Sequence, residues 1–333
     1  MKATLVRPAR AADLPMLAAW LPQAPQLPGT ADETLLVAEV AGDDGEPALP
    51  LGSLRLRRAV GLGPPRVWYH VGCTVHAASE LNLFHCQRTL MLGHDHTGAS
   101  ELADIVWAQG DLPLAEQAAT LHLLVQTALL LMARDRGHYA DRLIAELPGP
   151  RDSAGDSPFW QGLGRHFYGG DRHSAAAAHG AGWRTHVAAL LPRQPIYTSF
   201  LSEPAQAAIA QTQPEALLLR EVLEQAGLRY GHHVNIEDAG PVLEAPTDDL
   251  PTVRRSRRWQ VTHSPQQAPH HAPKAGATAY VALVDVPEGR WQAARVRGHV
   301  HGSALALSAE DLNGLGVEAG APVWAAALGG DGS

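Results

Sequence analysis

Ser157-Pro158-Phe159-Trp160-Gln161-Gly162-Leu163-Gly164-Arg165-His166-Phe167-Tyr168 reads as a short helix, a glycine suited to a left-handed helix end, and the start of an aromatic strand. The same grammar returns at Val222-Leu223-Glu224-Gln225-Ala226-Gly227-Leu228-Arg229-Tyr230. In each copy an apolar helix residue is followed by a glycine and then an aromatic ring: Trp160, Gly164, Phe167 against Leu223, Gly227, Tyr230. One such ending describes any capped helix. Two, each leading into a strand, point to a repeated structural unit.

Working outward, residues 142–147 read as a strand preceded by a long apolar helix over 114–134, a break at 110–113 and a strand over 101–107. Further upstream, 4–7 is a short strand, and Ala11-Ala12-Asp13 opens a helix whose Leu14, Leu17 and Leu21 recur at helical spacing. Residues 35–40 and 52–56 form an antiparallel hairpin across a Gly/Asp/Pro-rich turn, and 67–75 extends that sheet. Downstream, a strand over 186–191 and helices over 204–210 and 214–226 lead to a closing strand at 230–237. Past Pro241 comes Arg254-Arg255-Ser256-Arg257-Arg258, the usual pattern of a solvated face, then a Pro/Gln/Ala-rich linker over 264–274. Strands at 279–286, 291–296 and 323–328, with a helix opened by Ser308, make a compact β-rich appendage.

The paired endings resemble the closing helix and strand of a GNAT acyltransferase domain. The chain is accordingly read as α+β, with two tandem, divergent GNAT-like mixed-sheet domains at 1–170 and 171–250. A linker and a small β-rich C-terminal domain occupy 251–333.

Composition narrows the function classes. A chain of 333 residues is comfortable for two cores, and 45% apolar residues with 32 Gly and 25 Pro describe a loop-rich globular protein. A formal charge of -8 lacks the cationic excess that nucleic acid demands. It suits small cationic ligands, although mild acidity serves solubility equally well. The start lacks the apolar segment of a secretion signal, and the run 128–133 is too short to span a bilayer, so no membrane partner is expected. Cys73 and Cys86 form no CxxC pair and are too few for a disulfide framework, which fits a reducing cytoplasm. Of 18 histidines, His263, His270 and His271 lie in or beside the linker, and no HExxH or paired Cys/His spacing occurs, so no metal is expected.

Several longer strings are more specific. Val75-His76-Ala77-Ala78-Ser79-Glu80-Leu81-Asn82, Asp95-His96-Thr97-Gly98-Ala99-Ser100-Glu101-Leu102, Leu191-Pro192-Arg193-Gln194-Pro195-Ile196-Tyr197-Thr198 and Asp238-Ala239-Gly240-Pro241-Val242-Leu243-Glu244 stand in one order along the chain. Together with Asp156-Ser157-Pro158-Phe159-Trp160, they resemble the arginine N-succinyltransferase family over nearly the whole length. That resemblance implies transfer of succinyl from succinyl-CoA to the α-amino group of L-arginine, with ornithine a second amine in some relatives. It also implies a paralogous subunit or a homo-oligomer. By similarity, Ile105, Val106 and Trp107 lie beside the thioester, and a helix N-terminus cradles the CoA pyrophosphate. Residues buried in a core strand would read the same way.

Two departures stand out. Where the family has the pyrophosphate loop RxxGxG, the ungapped alignment places Glu116-Gln117-Ala118-Ala119-Thr120-Leu121, without either glycine or the arginine. An acid there repels phosphate. Where the resemblance implies a proton-donating histidine, this chain has Gln213, which donates a hydrogen bond but does not titrate. The alternative reading is a catalytically impaired paralogue serving as a non-catalytic subunit or arginine-binding protein, or an acyltransferase of different specificity.

Overall fold

The computed structural model describes residues 4–21, 27–28, 32–42, 48–110, 112–170, 182–264, 277–287 and 290–329. Its first strands are β1 (Thr4–Pro8), β2 (Glu33–Val40), β3 (Leu49–Arg57), β4 (Trp68–Ala78), β5 (Leu83–Gly93), β6 (Ser100–Trp107) and β7 (Arg142–Glu146). They are followed by β8 (Ile196–Tyr197), β9 (Arg229–Val234), β10 (Pro241–Pro246), β11 (Arg257–His263), β12 (Thr278–Val286), β13 (Arg290–His301), β14 (Ala304–Leu307) and β15 (Pro322–Ala327). The helices are α1 (Leu14–Trp20), α2 (Leu114–Arg134), α3 (Pro158–Gly162), α4 (Gly182–Ala188), α5 (Glu203–Ala208), α6 (Leu217–Gln225), α7 (Pro251–Arg255) and α8 (Ala309–Leu315). The mixed α and β content agrees with the α+β reading.

Two compact units arise, each drawn from separated stretches of chain. One comprises Met1–Arg57, Leu102–Tyr139 and Pro246–Ser333, the other Arg58–Glu101 and Ala140–Ala245. This interleaving replaces the sequential division at 170 and 250. The C-terminal strands are no appendage, because β13 pairs antiparallel with β1, Leu5 opposite Ala294.

In the first unit β1, β2 and β3 run antiparallel, the hairpin expected from the alternating pattern. The C-terminal strands close into a hydrogen-bonded ring, β12-β15-β11-β14-β13 and back to β12, with β11 and β14 parallel. Closure leaves no bare edge, and Val261, Ala282, Val284, Leu305 and Leu307 fill the inside. Helix α2 occupies the predicted span and packs against β1, β2, β3 and β12. It is long and apolar enough to cross a membrane by length and composition. It is nonetheless a core helix, with Leu121, Leu124, Val125, Ala128 and Leu129 fully buried. Each such leucine stabilises the fold by roughly 1.5–3 kcal/mol.

In the second unit the order is β7-β10-β9-β4-β5-β8. Strand β4 pairs with β5 and β9 instead of extending the β2–β3 hairpin, and β5 itself had no counterpart in the sequence reading. Of the residues expected as a strand over 186–191, 186–188 end helix α4 and 189–191 form a turn, because Trp183 and Val187 fall on one helical face and both are buried. The two helix endings diverge. Gly227 takes φ 113° and Leu228 N–H closes back onto Leu223 O, the left-handed cap that was expected. Gly164 is not left-handed: a Cβ there would lie 2.3 Å from the Trp160 ring, so close approach is what requires glycine. The chain past it makes a 3-10 turn over Gly164–His166 and no aromatic strand. Cys73 and Cys86, too few for a framework, bond to each other across the β4–β5 hairpin, whose register brings their Cα atoms to 6.0 Å. The linker histidines His270 and His271 lie outside the described residues.

Candidate functional site

In the first unit the strand β6 carries Ile105 and Val106 half-buried and Trp107 buried. Just before them Asp104 takes a left-handed φ of 48°, a conformation costly for a residue with Cβ. Its carboxylate accepts from Arg55 Nε at 2.7 Å and from Arg57 Nη2 at 3.3 Å. These two guanidinium groups hold the irregularity, and such kinks in a strand re-aim neighbouring side chains and backbone. Strand β3 approaches closely at Gly52, where a Cβ would meet Val106 O at 2.8 Å. Trp107 Nε1 donates to Gln117 Oε1 at 2.9 Å, and Gln117 Nε2 donates to Gln109 O and Leu112 O. Gln117 thus ties the strand end to the start of α2.

The segment 116–121 aligned with a phosphate loop is the regular opening of α2. Leu114, Ala115 and Glu116 are exposed at its N-terminus. A helix N-terminus attracts anions through its amide pole, so part of a pyrophosphate cradle is present. The charged side chain of this first turn is Glu116, however, which favours the helix and opposes a phosphate.

Gln213 lies in the second unit, so the structure does not bring it into one compact unit with Ile105, Val106 and Trp107. It precedes the 3-10 turn Pro214–Ala216 and is half-buried. Its Oε1 accepts from Arg151 N–H at 2.7 Å, and its own N–H donates to Pro148 O at 2.9 Å. The side chain therefore holds the loop at 148–151. Glu215 nearby is exposed in the first turn after it.

The densest chemistry of this unit was not foreseen. Arg66 forks onto Glu101, with contacts of 2.9 and 2.8 Å, and its other nitrogen donates to Glu146. Glu146 also accepts from Trp68 Nε1 at 2.6 Å and from Arg184 Nη1 at 3.2 Å. Arg184 continues to Glu237, and Arg151 binds Asp238, with Glu237 3.5 Å away. Asp238 Oδ1 accepts from Gly149 N, Asn235 Nδ2 and Gly240 N. Three guanidinium groups thus alternate with four carboxylates along one chain of contacts. Burial pushes the Glu146 carboxyl upward, but the charges of Arg66 and Arg184 outweigh it and bring it down to about 2. Carboxylates arranged this way are the chemical complement of a guanidinium. Glu101 faces a guanidinium here, Asp104 faces two in the first unit, and Glu80 is exposed.

Beside Glu146, Trp68 meets His96 edge to face at 5.1 Å, and His96 meets His233 at 4.3 Å. Burial, with the neighbouring His233 and Arg142, pushes the His96 imidazole down to about 4, and burial likewise lowers His233. Both shifts favour the neutral ring, whose free nitrogen can accept a proton or a metal.

The family model described as arginine N-succinyltransferase beta subunit matches residues 30–252. Arginine N-succinyltransferases of Salmonella paratyphi B and Salmonella newport are each 36% identical to the chain over 278 residues, covering 84% of it and 78% of the relative. Among solved structures, arginine/ornithine succinyltransferase subunit AI of Pseudomonas aeruginosa superposes with a TM-score of 0.76. That match covers 99% of this chain and 100% of that one at 24% identity, which speaks to the fold.

Proposed function

The chain belongs to the arginine N-succinyltransferase family, and from that premise we propose that it moves the succinyl group of succinyl-CoA to the α-amino group of L-arginine, with ornithine as a second amine. The observation that carries this reading is the 36% identity over 84% of the chain. In the reaction the neutral amine attacks the thioester carbonyl, the C–S bond breaks, the amine gives up a proton and the CoA thiolate takes one. No covalent enzyme nucleophile is needed.

Within this reading the chain descends from two GNAT-like domains whose segments interleave, and it works in the cytoplasm, in a homo-oligomer or beside a paralogous subunit. Ile105, Val106 and Trp107 receive the thioester end of the co-substrate, supported by the strand irregularity at Asp104. The helix pole at α2 meets the pyrophosphate with less charge than an arginine loop would supply. The carboxylates Glu146 and Glu237, which take guanidinium groups of the chain itself, are of the chemistry that recognises the cationic amino acid. Gln213 supplies a hydrogen bond where the resemblance implies an acid, so departure of the thiolate proceeds without a titrating donor at that position.

The test is arginine-dependent release of free thiol from succinyl-CoA by the purified chain, read with a thiol reagent. Release proportional to enzyme, slower with ornithine and absent with neutral amino acids, is the expected result. No release from the chain alone, nor from the chain mixed with a histidine-bearing paralogue, overturns the reading in favour of a non-catalytic arginine-binding protein.

A further inference from the structure

We propose that His96, His233 and Glu244 of the second unit form a zinc-binding site. Each offers one ligand atom, and these atoms lie within 4.8 Å of one another. His96 comes from the turn before β6, His233 from β9 and Glu244 from β10, so no fixed spacing in the sequence announces the group.

The geometry is partly that of a metal shell already. His96 Nδ1 stands 3.5 Å from Glu244 Oε2. Tetrahedral zinc with ligand bonds of about 2.0–2.1 Å sets its donor atoms roughly 3.3–3.4 Å apart, so this edge is in place. Three protein ligands leave the fourth position of such a shell to water.

The hydrogen bonding points the same way. His96 is 1% exposed, yet among the described residues neither of its ring nitrogens has a hydrogen-bond partner, and His233 Nε2 has none either. Buried polar atoms are nearly always satisfied, and leaving them bare is costly. A cation bound at one His96 nitrogen and at His233 Nε2 satisfies two of these three atoms. His233 Nδ1 is held by Gly231 O at 2.9 Å, which fixes the ring with Nε2 free, as outer contacts do for metal-ligating histidines.

The backbone has been shaped around the group. Register shifts between β9 and β10, and His232 takes a left-handed φ of 63°, a bulge that turns His233 inward. At Gly231 a Cβ would lie 2.1 Å from Glu244 Oε1, so only glycine lets that carboxylate lean over the strand. Two imidazoles and carboxylate oxygens select zinc over magnesium or calcium. Glu244 supplies one negative charge to the cation, and Arg142, 3.2 Å from Glu244 Oε2 and half-exposed, must share that oxygen.

The experiment uses the full chain without an affinity tag, stripped by chelator and titrated with zinc chloride against a chromophoric competitor. Cobalt serves as a spectroscopic stand-in. One equivalent per chain is expected, with visible bands of tetrahedral cobalt, and at least tenfold weaker binding in Glu244→Gln and His233→Asn. Failure to take up a stoichiometric equivalent, or unchanged affinity in both variants, overturns the site. The second result would place the metal on other histidines. If His233→Asn does not fold, the cobalt spectrum of Glu244→Gln decides.

Discussion

The β6–α2 corner of the first unit and the Arg66–Asp238 contact chain of the second solve the interior problem in opposite ways. The corner is held by leucines at helical spacing and one glutamine that bridges strand and helix. The chain of contacts buries guanidinium and carboxylate groups whose desolvation is repaid only while every partner stands. Apolar packing therefore tolerates local change by relaxing, whereas the ionic interior concentrates its sensitivity in single residues. A region built that way is a poor stabiliser and a selective receptor.

This contrast can be broken at four points, taken from the largest expected effect. Glu146→Ala takes the acceptor shared by Arg66, Arg184 and Trp68, leaving Arg66 on Glu101 and Arg184 on Glu237, and should cost about 4 kcal/mol in chemical denaturation. A cost near 1 kcal/mol would show that water already screens the pair. Leu124→Ala in α2 should cost about 3 kcal/mol, since Leu124 is fully buried beneath Gly52.

Acid should separate the regions further. Unfolded histidine protonates near pH 6.5, whereas His96 in the fold is held down to about 4. The unfolded chain therefore binds more protons between those values. The His96 contribution is full above pH 6.5 and is lost as pH falls toward 4. Glu146, lowered from 4.5 to about 2, gives up its share below that, from pH 4.5 down to 2. A denaturation midpoint flat from pH 7 to 4 would contradict the first stage. Smallest in stability is Gln213→His, under about 1 kcal/mol for the exchanged contact to Arg151 N–H. The same variant should raise arginine-dependent thiol release by about 100-fold and give it a histidine-like pH profile. An unchanged rate would show that the position does not face the leaving group.

The apolar region was the legible one. The period of Leu121, Leu124, Ala128 and their neighbours gave α2 its predicted limits, and the alternation in β2 and β3 gave the hairpin. The ionic chain was not legible, because Arg66, Glu146, Arg184 and Glu237 come from four separate elements and nothing local marks them as partners. Periodicity also misread α4, where Trp183 and Val187 are apolar at a spacing short enough to fit either strand or helix. Gly164 and Gly227 look alike in sequence because glycine answers two different demands, room for the Trp160 ring in one place and a positive φ in the other.

The pairing of Leu5 with Ala294 has a consequence for biosynthesis. As the ribosome releases the chain, β1 can find β2 early, but its other flank stays bare until roughly 290 further residues have been made. Through nearly all of translation the nascent protein exposes a half-finished sheet. Its yield in a cell should depend on chaperone supply and elongation speed more than its final stability would indicate.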